Sequence, residues 1–210
     1  SLVPEHRRAW HAGVSQWGEE TSLNDRSIGI ELVNEFECTA VEIPVELVQL
    51  EDVQCEFLPF ADEQIILLIE LLKSILERYP NINPIDIVGH SDIAVRRRSD
   101  PGPLFPWQRL FEEGIGAWPD PALVTEYRKR FAESMPPVTT VQAALAALGY
   151  ETGASGEWDT LTQFAVRAFQ LHFRPRDYSG IIDVETVARL WALLEEYKPW
   201  ELDDPALQFN

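Results

Sequence analysis

Four residues of this sequence have the side-chain types that metal-assisted hydrolysis of an amide uses. His90 ends the short run Ile85-Asp86-Ile87-Val88-Gly89, and Asp100 follows ten residues later, just before Pro101-Gly102-Pro103. Imidazole nitrogen and carboxylate oxygen are both good zinc ligands. Glu31 lies in the alternating stretch Ser27–Asn34 and has the chemistry of a general base. Arg98 offers a cation to a developing oxyanion. A metal, a base and an oxyanion partner are the parts of metal-assisted hydrolysis. Each residue also has a plain structural reading. A histidine at a strand end is commonly packed or solvated, and Asp before Pro-Gly starts turns. Arg96–Arg98 suits a solvated basic patch, and Glu31 suits an exposed sheet face. Two ligands alone do not specify a zinc site.

The elements that would position these residues follow from periodicity. Residues 27–34 alternate, with Ile28, Ile30 and Leu32 on one face and Gly29, Glu31 and Val33 on the other, which predicts a strand. Residues 62–79 carry Ile65, Leu68, Ile69, Leu72, Ile75, Leu76 and Tyr79 at helical spacing. Ile66, Leu67 and Leu71 widen that apolar surface, so a well-buried helix is expected, with Asp62 as its N-cap and Pro80 ending it. Residues 85–90 read as a short buried strand. Residues 91–120 form a long connection stiffened by prolines, a length that is usually functional, with a short helix over Trp107–Glu113. The insert 36–60 is irregular, and Val41–Leu50 reads as an extra strand or a loop.

Prolines 119, 121, 136 and 137 flank a short helix, Leu123–Glu133, and mark a domain boundary. Beyond it, helices are expected over Val141–Leu148, Thr160–Phe173 and Val184–Tyr197. The division is therefore 1–118, a linker over 119–139, a three-helix module over 140–198 and a tail over 199–210. Trp158, His172, Tyr178 and Trp191 read mostly as core residues of that module.

Composition sets limits. The 210 residues are enough for a sizeable core, and 45% hydrophobic with 25% charged is ordinary for a globular chain. A formal net charge of −18 would repel a phosphate backbone and argues against a nucleic-acid partner. No run of about 18 apolar residues is present to span a membrane, and no signal peptide is visible. Seven Trp is a high count, and packing accounts for most of them. Cys38 and Cys55 match no metal or redox motif, and two free thiols are favoured over one disulfide.

Several ordered segments resemble the N-acetylmuramoyl-L-alanine amidases of the AmpD/AmiD type. They are Trp10-His11-Ala12-Gly13-Val14-Ser15, Leu23–Leu32, Val88-Gly89-His90-Ser91-Asp92-Ile93-Ala94 and Ser99-Asp100-Pro101-Gly102-Pro103-Leu104-Phe105-Pro106-Trp107. The resemblance runs on through Gly114–Asp120 and Phe169–Pro175, the latter similar to the peptidoglycan-binding domain of the AmiD branch. It implies an α/β amidase domain, with a mixed sheet flanked by helices, plus a small all-α domain. It implies Zn2+ held by two His and one Asp, with His90 and Asp100 as two of the ligands and Glu31 as catalytic base. The third ligand would be a His on a strand upstream of the chain, so the site and the sheet are expected to be N-terminally incomplete. Arg98 falls where relatives usually carry Lys; it keeps the charge but gives up no proton. Trp10 and His11 would contact substrate. The implied substrates are peptidoglycan or muropeptide fragments, and the implied setting is the periplasm or cell envelope, with outer-membrane anchoring through a missing N-terminus. A monomer is expected. The alternative is a wall-binding protein of the same fold that does not cut.

Overall fold

The computed structural model describes residues 2–39 and 45–209. Its longest helix is α1, Asp62–Arg78, in the position that the apolar period predicts. Ala61 is its N-cap, not Asp62, which opens the first turn and pairs there with Arg109 at 2.6 Å. Ile65, Leu68, Ile69 and Ile75 form its buried stripe. Ile66, Leu67 and Leu71 are exposed, against expectation, because the described chain packs on one side of α1 only.

That side meets residues 27–34. The expected alternation holds from Ile30 on: Ile30 and Leu32 are half-buried against the α1 core and Glu31 and Val33 are exposed, but Ile28, expected on the inner face, is exposed too. The segment is extended, but it joins no ladder among the described residues. The ladders present are short antiparallel pairs. β1, Gln16–Trp17, pairs with β2, Glu20–Thr21; β3, Glu37–Cys38, pairs with β4, Cys55–Glu56.

The register of the second pair sets Cys38 opposite Cys55, and the two form a disulfide. This corrects the expectation of free thiols. The signal was cross-strand adjacency, which sequence spacing does not reveal. Residues 41–44 of the stretch Val41–Leu50 lie outside the described residues. Its remainder forms 3-10 turns at Val45–Leu47 and Leu50–Asp52 rather than a strand.

The run expected as a strand over 85–90 is a 3-10 turn, Pro84–Asp86, followed by extended residues and then α2, His90–Ile93. Asp92 Oδ2 accepts the Gly89 N–H at 2.7 Å, and this cap turns the chain into a helix at His90. A short apolar run does not distinguish helix from strand by itself. Next comes α3, Trp107–Glu112, whose Trp107 and Leu110 share the α1 core.

Four helices follow: α4, Pro121–Glu133; α5, Val138–Leu148; α6, Thr160–Phe173; and α7, Val184–Tyr197. Asp120, Asp159 and Asp183 cap the first, third and fourth of these with side-chain oxygens. α4 falls within 119–139, the segment read as a linker, and it buries Val124, Tyr127 and Phe131. The Phe131 and Trp191 rings meet edge-on at 5.2 Å, bringing α4 onto α7. The core does not stop at this region's edge. Ala12, Trp17, Ile93 and Val95 belong to the same apolar cluster as Phe164, Phe169 and Leu190. Trp17 and Tyr150 pack edge to face at 5.0 Å across that join. The tail returns as 3-10 turns at Pro199–Asp203 and Pro205–Leu207, with Leu207 buried. No helix among the described residues is long and apolar enough to cross a membrane.

Candidate active site

His90 opens α2 and Asp100 closes the following loop, and their backbones are tied directly: the Ser91 N–H donates to the Asp100 carbonyl at 2.8 Å. Asp100 precedes a cis Pro101 and then Gly102 at φ 82°. A Cβ on Gly102 would lie 2.3 Å from the Phe57 ring, so only glycine fits this corner. The insert thus packs on the turn that presents Asp100.

The side chains converge. His90 Nδ1 stands 3.1 Å from Asp100 Oδ2, and His90 Nε2 stands 3.1 Å from the Ala12 carbonyl. Burial pushes the Asp100 pKa up, but the hydrogen bond and charge of His90, aided by Arg98, prevail and hold it below the ordinary carboxylate value. Both partners of the His90 ring are acceptors. A neutral imidazole carries one N–H, so it can satisfy only one of them. With its N–H on Nδ1 the ring bonds the Asp100 carboxylate; were a metal ion to take the place between Nδ1 and Oδ2, the N–H would move to Nε2 and be donated to the Ala12 carbonyl.

Ala12 is held in turn. Asn24 Oδ1 accepts the backbone N–H groups of His11 and Ala12, each at 2.8 Å. Arg97 Nη2 donates to the carbonyls of Ala12 at 2.9 Å and Val14 at 2.7 Å. Sequence reasoning singled out Arg98 and missed Arg97, whose partners lie more than 80 residues away. Burial lowers the Arg97 pKa, the Arg98 charge adds to this, and Asp100 opposes it.

Arg98 is exposed and, with Asp100, borders a depression of about 360 Å³. Phe36, Val53 and Phe164 contribute apolar walls. Glu31, Trp10 and His11 do not border it. Glu31 is exposed on its extended segment. His11 packs under Gly29, where a Cβ would fall 2.4 Å from the ring, and its Nε2 meets Ser27 Oγ at 2.8 Å. Trp10 is 80% exposed, with the Arg8 guanidinium 4.0 Å above its ring. Among the described residues no group of three His, Cys, Asp or Glu side chains could hold a metal.

Residues 1–103 match the N-acetylmuramoyl-L-alanine amidase family, and residues 134–190 match a peptidoglycan binding domain. The chain is 44% identical to the N-acetylmuramoyl-L-alanine amidase AmiD of Escherichia coli over 93% of its own length and 67% of that protein's. It belongs to this amidase family.

Other amidases agree. The 1,6-anhydro-N-acetylmuramyl-L-alanine amidase AmpD of Enterobacter cloacae is 38% identical, over 51% of this chain and 46% of its own. The crystal structure of AmpDh3 from Pseudomonas aeruginosa in complex with anhydromuramic pentapeptide superposes with a TM-score of 0.83 at 46% identity, covering 93% of this chain and 72% of that one. AmiD from E. coli in complex with anhydro-N-acetylmuramic acid-L-Ala-D-gamma-Glu-L-Lys gives 0.78 at 42% identity, with the same coverage. The chain therefore spans about two thirds of AmiD and about half of AmpD.

His90 and Asp100 have the donor types of a metal site, but among the described residues they are only two donors. Metal-bound histidines donate their second N–H to a carbonyl or carboxylate. Ala12 is such a carbonyl, and it leaves His90 Nδ1 facing Asp100.

Proposed function

We propose that the protein carrying this chain hydrolyses the amide bond between N-acetylmuramic acid and L-alanine in peptidoglycan or its fragments. The observation that carries this reading is the His90 ring set between the Ala12 carbonyl and the Asp100 carboxylate. His90 and Asp100 would hold zinc together with an upstream histidine. Bound there, zinc supplies Lewis acidity toward the amide carbonyl and makes water more acidic.

The chain's own residues do the remainder. Glu31 accepts the proton of the attacking water as the water oxygen bonds to the carbonyl carbon. The positive charge of Arg98 stabilises the negative charge that develops on the carbonyl oxygen. Because Arg98 keeps its proton, the proton that the leaving amine needs comes from Glu31. The C–N bond breaks, giving a lactyl carboxylate and a free L-alanine amine. Trp10, which Arg8 covers on one face, and His11 contact the substrate.

Residues 140–198 would add wall binding, with the exposed Trp158 offering an aromatic face to sugar. A periplasmic or envelope setting suits the disulfide, since such bonds persist in oxidising compartments. The second reading, a wall binder that does not cut, draws on the two-ligand set among the described residues. Mass spectrometry of a muropeptide incubated with the full-length protein separates the two. Release of the intact stem peptide, abolished by Glu31→Ala, supports the amidase; no release, or release unaffected by Glu31→Ala, contradicts it.

A further inference from the structure

We propose that His172, in the helical region, is a positioning residue for the metal site. With Tyr150 it holds Asp92, and through Asp92 it fixes the turn that aims His90. The proposal rests on the reading of His90 as a ligand.

Asp92 is completely buried. A buried carboxyl group without water is costly unless hydrogen-bond partners surround it. Here three do. The Gly89 N–H and His172 Nδ1 reach Oδ2 at 2.7 and 2.8 Å, and the Tyr150 hydroxyl reaches Oδ1 at 2.7 Å. Two of these donors come from the helical region, 58 and 80 residues further along the chain.

Gly89 directly precedes His90 and has no room for a side chain. A Cβ there would lie 2.6 Å from Pro101 Cδ and 3.2 Å from Trp107 Cζ2. The same Trp107 ring stacks on His172 at 3.8 Å and 19°. Phe173 covers the imidazole at 3.9 Å and 7°. His172 is thus clamped between two rings with its Nδ1 aimed at Asp92. A region that only braced its neighbour would do so with apolar contacts. This one places two buried polar side chains on a single carboxylate beside the ligand turn, and such networks specify one geometry.

Zinc affinity of the full-length protein, measured by competition with a chelator, tests the proposal alongside the melting temperature. His172→Leu removes the donor, and its zinc affinity is expected to fall about tenfold, the lower end of what outer-shell partners contribute. His172→Asn places an amide N–H near the position of Nδ1 and is expected to recover most of that affinity, even if it melts as low as His172→Leu. Wild-type affinity in His172→Leu, or equal losses in both variants, would overturn the proposal. His90→Ala separates the two readings. If it loses zinc while His172→Leu does not, the positioning role alone fails; if it keeps zinc, the ligand reading fails and this proposal with it.

Discussion

Asp100 is tied to His90 twice, by its carboxylate 3.1 Å from the imidazole and by its carbonyl, which accepts the N–H of the next residue, Ser91, at 2.8 Å. The nine residues between them therefore form a closed loop that brings the imidazole and the carboxylate together. Asp100→Asn is expected to lower zinc affinity by at least about 100-fold, since even outer-shell losses reach that size. Chelator competition on the full-length protein checks it, with circular dichroism to show that the fold persists.

Gly102 gives the loop its corner. At φ 82°, with Phe57 filling the space where a Cβ would stand, Gly102→Ala is strained in both backbone and packing. A loss of about 1–3 kcal/mol is expected from the backbone conformation alone. Urea unfolding measures it, and unaltered stability would contradict both the backbone strain and the Phe57 contact.

The Cys38–Cys55 bridge closes a loop with a sequence separation of 17. A loop of that size contributes about 3 kcal/mol in the chain-entropy view. Cys38→Ser with Cys55→Ser should lower unfolding stability by up to that amount. Protein prepared without reductant should take up no thiol alkylator under denaturing conditions; alkylation at both cysteines would restore the free-thiol expectation.

Tyr127 joins α4 to α7 by donating its hydroxyl to Glu195. Burial pushes the phenol pKa well up, and the Glu195 hydrogen bond and charge add to it. The folded state thus favours the neutral phenol. Its contribution is complete below the ordinary tyrosine value of about 10 and declines as pH rises above it. Tyr127→Phe should cost about 1–2 kcal/mol near neutral pH and flatten the loss of stability on the alkaline side. Melting curves across that range read both effects.

Helices were the most legible part of the sequence. α1, α6 and α7 announce themselves through apolar period, and Asp159 and Asp183 cap the last two by side-chain hydrogen bonds. The alternation survives as alternating burial over residues 30–34 only, but a ladder needs a second strand, and none of the described residues supplies one. The turn at His90 was misread because its deciding contact, Asp92 to Gly89, is a cap rather than a period. His90, Asp100, Glu31 and Arg98 were legible as residue types. The support around them was not. Arg97, His172 and Tyr150 act on carbonyls or carboxylates 58 to 85 residues away in the chain, and no local pattern encodes such distances.

Bound zinc per chain, by elemental analysis of the full-length protein and its His90→Ala variant, tests the central claim most directly. The amidase reading predicts one zinc per chain in the first and a clear loss in the second. Protein that purifies without stoichiometric zinc, or a variant that keeps it, would contradict the assignment of His90 and favour a wall-binding role.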